Sequence, residues 1–321
     1  MNIRVVTPAP VQLHTGNRTT AVRWARLLGE LGHQVQLAQD WSGEECDLLV
    51  TLHARRSFPS LERFHQAHPN APVVVALTGT DLYDDLKSSA DARRSLEIAS
   101  RLIVLQPLAL DVIPAGLRSK GRVIYQSAEH PRNPDPPTDL FQVCVLAHLR
   151  AVKDPLRTAY AARDLPVDSR VRVAHAGGVL DPELAREAEA EQRRNPRYRW
   201  LGDLSHEGAL HLLAGSHLLA LTSLLEGGAN VISEAIAVSV PVISTSIPGS
   251  VGILGPDYPG YFPVGDTRAL RRLMQHAEAD HAFYAELKRR VWDLMPLVNP
   301  ELERESWRAL LAEVGQSAVT V

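Results

Sequence analysis

Short apolar runs rich in β-branched residues alternate with stretches of helical period through nearly the whole chain. In the N-terminal part the apolar runs are IRVV, VQLA, DLLVTL, PVVVALTG, RLIVLQ and RVIYQ. Such runs separated by helical patterns predict βαβ units and a parallel sheet buried on both faces. The helix after the first strand is the clearest. Trp24, Leu27, Leu28 and Leu31 fall at i, i+3, i+4 and i+7, and Gly32 supplies the stop.

A polar, proline-rich stretch, SAEHPRNPDPPTD (127–139), interrupts this pattern and reads as a stiff linker. A second series follows, with strands FQVCVLA, VRVAHAG, YRWLG, HLLALTS, PVISTS and GYFPV. The Ala/Glu-rich stretch 182–194 between them reads as a solvated helix. The prolines of VWDLMPLVNP end a helix, and PELERESWRALLAEVG forms a last amphipathic one. The expected architecture is therefore α/β: two Rossmann-like, doubly wound parallel-sheet lobes, facing each other across a cleft. Residues 1–130 make the first lobe, 131–139 the linker and 140–299 the second, with the helix 300–321 returning to the first.

Composition narrows what such a chain can do. Its 321 residues are 45% hydrophobic and 22% charged, and no apolar run reaches the roughly 20 residues of a membrane span. A net charge of -3 offers no global attraction to nucleic acid. The start, MNIRVVTPAP, is strand-like and lacks the basic-then-apolar order of a secretory signal, so a cytoplasmic location is expected. Cys46 and Cys144 stand alone in strand patterns and read as buried free thiols. There is no D-x-D at a strand end and no ligand spacing among the 13 histidines, so neither metal nor cofactor is expected. TPAPVQLHTGN after the first strand lacks G-x-G-x-x-G, which argues against a dinucleotide dehydrogenase.

The candidate chemistry centres on LLEGGANVISEAIAVSVPVIS (224–244). A buried strand feeds a loop and then a helix for which Asn230 is a plausible N-cap. Gly227 and Gly228 permit close backbone approach, and the amides from Gly227 through Ala229 to Asn230 suit a phosphate at a helix N-terminus. Glu234, a turn into the helix, can accept from the two hydroxyls of a ribose, while Glu226 lies nearer whatever the phosphates carry. Upstream, LAHLRAVKDP sets His148, Arg150 and Lys153 after a strand, as a diphosphate needs once the loop amides are used; alone, the stretch reads more readily as surface charge on a strand-to-helix turn.

LRAVKDP, YRWLGDLSHEGALHLLAGS and LTSLLEGGANVISEAIAVSVPVISTSIPG resemble, in that order, the donor-binding lobe of family 4 glycosyltransferases of the GT-B fold. The blocks GNRTTAVRWARLLGELGH, DLLVTLHARRS, VVVALTGTDLYDDL, SLEIASRLIVLQPLAL and PGYFPVGD make the chain similar, over residues 3 to 265, to the selenosugar synthases of selenoneine biosynthesis. That resemblance implies sugar transfer from a UDP-sugar, with UDP-N-acetylglucosamine foremost, onto selenophosphate, with release of UDP and then phosphate. It also implies links to an enzyme that makes selenophosphate and to one that forms selenoneine downstream. The implied donor set is His148, Arg150, Lys153, Leu201 of the WLG strand, Glu226, Gly227, Gly228, Ala229, Asn230 and Glu234.

Selenophosphate is already a soft anionic nucleophile and needs positioning by cations more than deprotonation. Gly16, Asn17 and Arg18 at a helix start, and Arg55 with Arg56 after a strand, are the candidates to hold it. His53 at a strand end is expected to face the cleft, as stabiliser or base, with Lys153 and Glu226 completing the catalytic set. TGTD (78–81) stands where many relatives carry a catalytic-looking histidine, which weakens the case for an ordinary hydroxyl acceptor. Thr80 and Asp81 would bind sugar hydroxyls or cap the next helix. The alternatives are a transferase with a hydroxyl acceptor and a non-catalytic sugar-nucleotide-binding protein.

Overall fold

A computed structural model describes residues 1–8, 15–129 and 135–319 of the chain. The centre of the expected linker, 130–134, and residues 9–14 of TPAPVQLHTGN lie outside the described residues. The chain divides into two units. One comprises Met1–Ser127, Glu226–Asn230 and Pro300–Val321, the other Ala128–Leu225 and Val231–Asn299. The loop Glu226–Asn230, although it continues a strand of the second series, thus packs within the first unit.

The first unit runs β1 (Asn2–Val6), α1 (Gly16–Glu30), β2 (Gln34–Ala38), β3 (Leu48–Leu52), α2 (Phe58–Ala67), β4 (Val73–Leu77), α3 (Leu86–Ser88), α4 (Ala90–Ile98), β5 (Arg101–Val104) and β6 (Gly121–Val123). Its six parallel strands take the order β2-β1-β3-β4-β5-β6, with Val5 opposite Val50 and Val50 opposite Val74. Every residue of β3 and β4 is buried, because successive side chains serve opposite faces of a sheet covered on both sides. Val5, Val50, Val74 and Ile103 face the apolar stripe of α1 (Trp24, Leu27, Leu28), whereas Leu49, Val75, Leu102 and Val104 pack with Leu61 and Phe64 of α2 and Leu96 of α4. Thr15 caps α1 by accepting from Arg18 N–H, and Gly32, at φ +87°, closes its other end in a conformation that suits glycine.

The second unit runs β7 (Phe141–Leu146), α5 (Arg157–Arg163), β8 (Val171–Ala176), α6 (Pro182–Arg194), β9 (Tyr198–Trp200), α7 (His206–Ala214), β10 (Leu218–Leu221), α8 (Asn230–Ala237), β11 (Val242–Thr245), α9 (Pro248–Leu254), β12 (Tyr261–Phe262), α10 (Thr267–Ala279) and α11 (His281–Asp293). Its parallel sheet has the order β12-β11-β10-β7-β8-β9. Cys144 is buried at its centre and its thiol pKa is pushed up by burial; Cys46, expected to be buried, is only half-buried, and burial raises its pKa to about 11. Both are therefore poor nucleophiles at neutral pH.

At the C-terminal end of β8, His175 is fully buried. Its Nε2–H donates to Ala147 O at 2.8 Å and its Nδ1 accepts from the Tyr198 hydroxyl at 2.8 Å. Beside it a Cβ on Gly177 would stand 1.8 Å from Ala147 O, so only glycine lets β8 leave the sheet this close to the end of β7. Burial lowers the His175 pKa from 6.5 to about 4.

The last helix, α12 (Pro300–Val319), packs on α1: Trp24 and Trp307 meet edge to face with ring centroids 5.0 Å apart, and Leu310, Leu311 and Val314 join the same core. Beneath this seam Glu303, 2% exposed, accepts from Arg23 Nε at 3.0 Å, Trp24 Nε1 at 2.7 Å and Ser127 N at 2.9 Å, and from the Ser127 hydroxyl. Buried carboxylates persist only when paired in this way. Among the described residues no helix is long and apolar enough to cross a membrane.

Two outcomes follow from these buried groups. Glu303→Ala leaves Arg23 charged, buried and short of its counter-ion, and should cost about 3–5 kcal/mol in denaturant unfolding, with Glu303→Gln losing less. His175 is neutral when folded, so its contribution to stability is complete above pH 6.5 and is lost as pH falls from 6.5 to about 4, by about 3 kcal/mol. In unfolding measured across that window, His175→Gln, which keeps a donor and an acceptor but does not titrate, should show a correspondingly shallower loss.

Candidate functional site

In both sheets the C-terminal strand ends at the point where strand order reverses are the ligand-binding edge of a doubly wound fold. In the first unit that edge includes the turns after β3 and β4. Three backbone amides organise them around one side chain. Asp81, fully buried, accepts from Thr78 N at 2.9 Å and Gly79 N at 2.8 Å through Oδ1, and from Ala54 N at 2.9 Å through Oδ2. Its carboxylate is spent on the protein's own loops, so it frames the site and does not offer oxygens to a sugar.

His53 follows β3 with φ +75°, a conformation uncommon for a residue with a Cβ. Its N–H extends the ladder to Ala76 O at 2.9 Å and its carbonyl accepts from Ser57 N at 3.1 Å, which holds the backbone there. The ring is buried rather than presented to solvent, at 2% exposure. Nδ1 accepts from Arg56 N at 3.3 Å, and that bond assigns the proton to Nε2, which donates to Thr80 Oγ1 at 3.1 Å. Burial, the largest influence, lowers the His53 pKa despite the nearby Asp81 and Asp85. His53 is therefore a neutral donor whose one lone pair is already engaged, which disfavours the base role among those expected of it.

Thr80, accepting from His53, keeps its own hydroxyl proton to give. A π-helical turn, Asp81–Asp85, then carries Asp85 to this corner. Its Oδ1 pairs with Arg55 Nε at 2.8 Å, and its Oδ2 lies 3.8 Å from His53 Nε2. Arg55 and Arg56 are exposed; Arg18, half-buried on the first turn of α1, makes no side-chain hydrogen bond among the described residues.

The glycines of the loop Glu226–Asn230 are packed against the protein's own backbone and side chains. A Cβ on Gly227 would lie 2.5 Å from Thr78 C and O, and one on Gly228 would lie 2.6 Å from Leu105 Cβ. The close backbone approach that requires glycine is thus to the ends of β4 and β5. Asn230 does not cap α8 with its side chain. Its Nδ2 donates to Gly16 O and Thr20 Oγ1, both at 3.2 Å, and its Oδ1 accepts from Arg23 Nη1 at 3.0 Å. Gln126 completes the anchor: Nε2 donates to Gly228 O at 2.6 Å, while Oε1 accepts from Thr20 Oγ1 at 2.7 Å and Arg23 Nη2 at 3.0 Å. Gly16 and Asn230, expected on acceptor and donor respectively, are in fact bonded to each other. Asn17 is half-buried beside them, Ala229 is buried and Glu226 half-buried.

In the second unit β7 lies between β10 and β8, so the turns that follow β7 and β8 are neighbours. His148 Nδ1 accepts from Gly178 N at 2.9 Å after β8, which places the ring proton on Nε2. Arg150 opens a short 3₁₀ turn, Ala151–Lys153, which ends at Asp154 in the left-handed region (φ +43°), its carboxylate bound by Arg157 at 2.7 Å. Thr222 Oγ1 donates to Lys153 O at 3.0 Å and Leu224 N to Val152 O at 2.9 Å, so the basic turn is stitched to the strand that leads into Glu226. Leu201 N–H bonds His175 O at 2.8 Å, and Leu201 is half-buried after β9. Glu234 sits on α8 with its side chain 15% exposed and His206 Nδ1 of α7 3.8 Å away.

Sequence reading missed Asp85, Gln126, Arg23 and Glu303. Only Asp85 left a local trace, the acid-rich DLYDD beside the expected Thr80 and Asp81. Among the described residues no three His, Cys, Asp or Glu side chains group as a metal site.

A family model described as glycosyl transferases group 1 matches residues 126–291. Glycosyltransferase 1 domain-containing protein 1 of Xenopus tropicalis is 24% identical over 346 residues, spanning 96% of this chain and 97% of that one. The fold is similar to Anabaena HepE, solved in complex with UDP (TM-score 0.78, 16% identity, 97% of this chain and 100% of that one). It is also similar to sucrose-phosphate synthase from Thermosynechococcus elongatus (TM-score 0.73, 17% identity, 98% and 97%). Two Rossmann-like lobes of parallel sheet, as in these GT-B enzymes, and a match across the second unit from its first strand to its last helix agree: the chain belongs to the group 1 glycosyltransferases.

Proposed function

We propose that this glycosyltransferase moves the sugar of a UDP-sugar, UDP-N-acetylglucosamine foremost, onto selenophosphate. The observation that carries sugar-nucleotide use is the family match over the segment that holds the basic turn and both loop carboxylates. HepE structures bound to UDP and to UDP-glucose support the uridine donor by likeness of fold. In this reading Arg150, Lys153 and the His148 Nε2 proton neutralise the leaving diphosphate, in place of a metal. Glu234 accepts from the ribose hydroxyls, Leu201 borders the base, and Glu226 orients the sugar.

The acceptor reading rests on the sequence resemblance and on the character of the first-unit corner. Arg55, Arg56, Arg18 and the Thr80 hydroxyl proton are cations and donors, which suit an anion. His53 has no lone pair to spare, so it is not the base a hydroxyl acceptor would need. A selenium lone pair attacks the anomeric carbon as the carbon–oxygen bond to the diphosphate breaks, giving a selenium-linked glycosyl phosphate and UDP. Water then cleaves the phosphorus–selenium bond, releasing phosphate and the selenosugar.

UDP release should be measured from UDP-N-acetylglucosamine and UDP-glucose, anaerobically and without added metal, with selenophosphate, thiophosphate, phosphate or no acceptor. Release that depends on selenophosphate, with a selenium-bearing sugar in the mass spectrum, is expected; release only with a hydroxyl acceptor, or none with bound donor, overturns the reading. In the same assay Lys153→Ala should lower kcat by about 100-fold, and Glu234→Ala should chiefly raise the donor KM, by about tenfold.

A further inference from the structure

Asp85 is the one group at the first-unit corner whose chemistry the preceding reading does not use. It is 7% exposed, and its Oδ2, a buried atom, has no hydrogen-bond partner among the described residues. An acceptor buried without a donor is costly, and native structures keep such groups where something else supplies the donor. The neighbouring protein groups cannot supply it. Arg55 Nε is committed to Oδ1 at 2.8 Å, and the His53 Nε2 proton goes to Thr80 at 3.1 Å rather than to Oδ2 at 3.8 Å.

What surrounds that oxygen defines the missing partner. Thr80 Oγ1 and Asp85 Oδ2 both lie within 3.8 Å of the same ring nitrogen, the first with a proton of its own to give and the second a buried acceptor without a donor among the described residues. The terminal nitrogens of Arg55 make no hydrogen bond among the described residues, and its side chain is 44% exposed. A cation, an oriented hydroxyl donor and a buried carboxylate lone pair fit a ligand that is anionic yet still carries an O–H. A fully deprotonated oxyanion would set its own lone pairs against Asp85, while a neutral hydroxyl would leave the guanidinium unanswered.

We infer that Arg55, Thr80 and Asp85 form a subsite for a tetrahedral oxyanion that retains a proton, of the monohydrogen phosphoryl class, with Asp85 Oδ2 accepting from its P–OH. Arg55 and Thr80 hold the unprotonated oxygens, and Asp85 is the specificity residue that rejects sulfate-like anions. The subsite deepens the acceptor reading above and rests on it for the natural ligand, since selenophosphate is a phosphoryl anion of this kind. Asp81, expected to touch substrate, is replaced in that role by its neighbour four residues on, because its own oxygens are filled by amides.

The test uses the full-length protein and two anions of equal charge. At about pH 8 phosphate and sulfate both carry two charges and only phosphate keeps a proton. Calorimetric titration should show inorganic phosphate binding at least about tenfold more tightly than sulfate. Asp85→Asn, which can donate as well as accept, should bring the two affinities to within about twofold, and Arg55→Gln should weaken phosphate by about tenfold. Equal binding of the two anions by the unaltered protein, or no binding of either, overturns the subsite without need of a variant. So does phosphate affinity unchanged in Arg55→Gln, or a preference that survives in Asp85→Asn. No sugar nucleotide or selenium enters this measurement. A failed subsite beside intact selenophosphate-dependent UDP release would spare the function, and the reverse pattern would spare the subsite.

Discussion

A single buried carboxylate, Glu303, ties together the parts of the first unit that are farthest apart in sequence. It holds Arg23 and Trp24 of α1 and Ser127 at the end of the segment after β6, from its place on the C-terminal helix. Arg23, so fixed, reaches Gln126 and Asn230, and Gln126 reaches Gly228. The loop Glu226–Asn230 is thus positioned by a chain of hydrogen bonds that begins at residue 303. In a buried network of this kind each member satisfies the next, and a half-satisfied version would be worse than an apolar core. The loop's glycines belong to the same constraint, because their lack of Cβ lets the backbone lie against Thr78 and Leu105.

Asp81 plays the corresponding part on a smaller scale. Three amides from two turns converge on its carboxylate, and the geometry of His53, Thr80 and Asp85 follows from that anchoring. His53 takes a left-handed backbone and a defined tautomer because its surroundings over-determine both. The result is a corner in which rigid backbone, not flexible side chains, decides which protons are left to give. Preorganisation of this sort lets donors act on an anion without reorganising when it arrives. In the second unit the basic turn after β7 is treated likewise, held by Thr222 and Leu224 of the adjacent strand's exit.

Much was legible in the chain read alone. Twelve apolar runs mark the twelve strands among the described residues, and the Trp24, Leu27 and Leu28 stripe marks the face α1 buries. Those signals are local: period, branching and stop residues are written within a few positions of where they act. The basic turn and the glycine loop were equally visible as motifs, and the family match covers the same blocks.

What the residues at those motifs do was not legible. Asn230 looks like a helix cap and is an arm reaching α1; Gly227 needs to be glycine because of the Thr78 backbone beside it; Asp81 looks like a ligand for hydroxyls and is buried under three amide bonds. In each case a competing partner is remote in sequence, more than a hundred residues away for the loop and 27 residues away, at Ala54, for Asp81. Sequence by itself determined the strands, the helix faces and which loops would stand at the sheet edges, because those depend on nearest-neighbour periodicity. Tertiary structure alone decided which polar groups are consumed in holding that edge together and which, like Asp85 Oδ2, are left without a partner among the described residues.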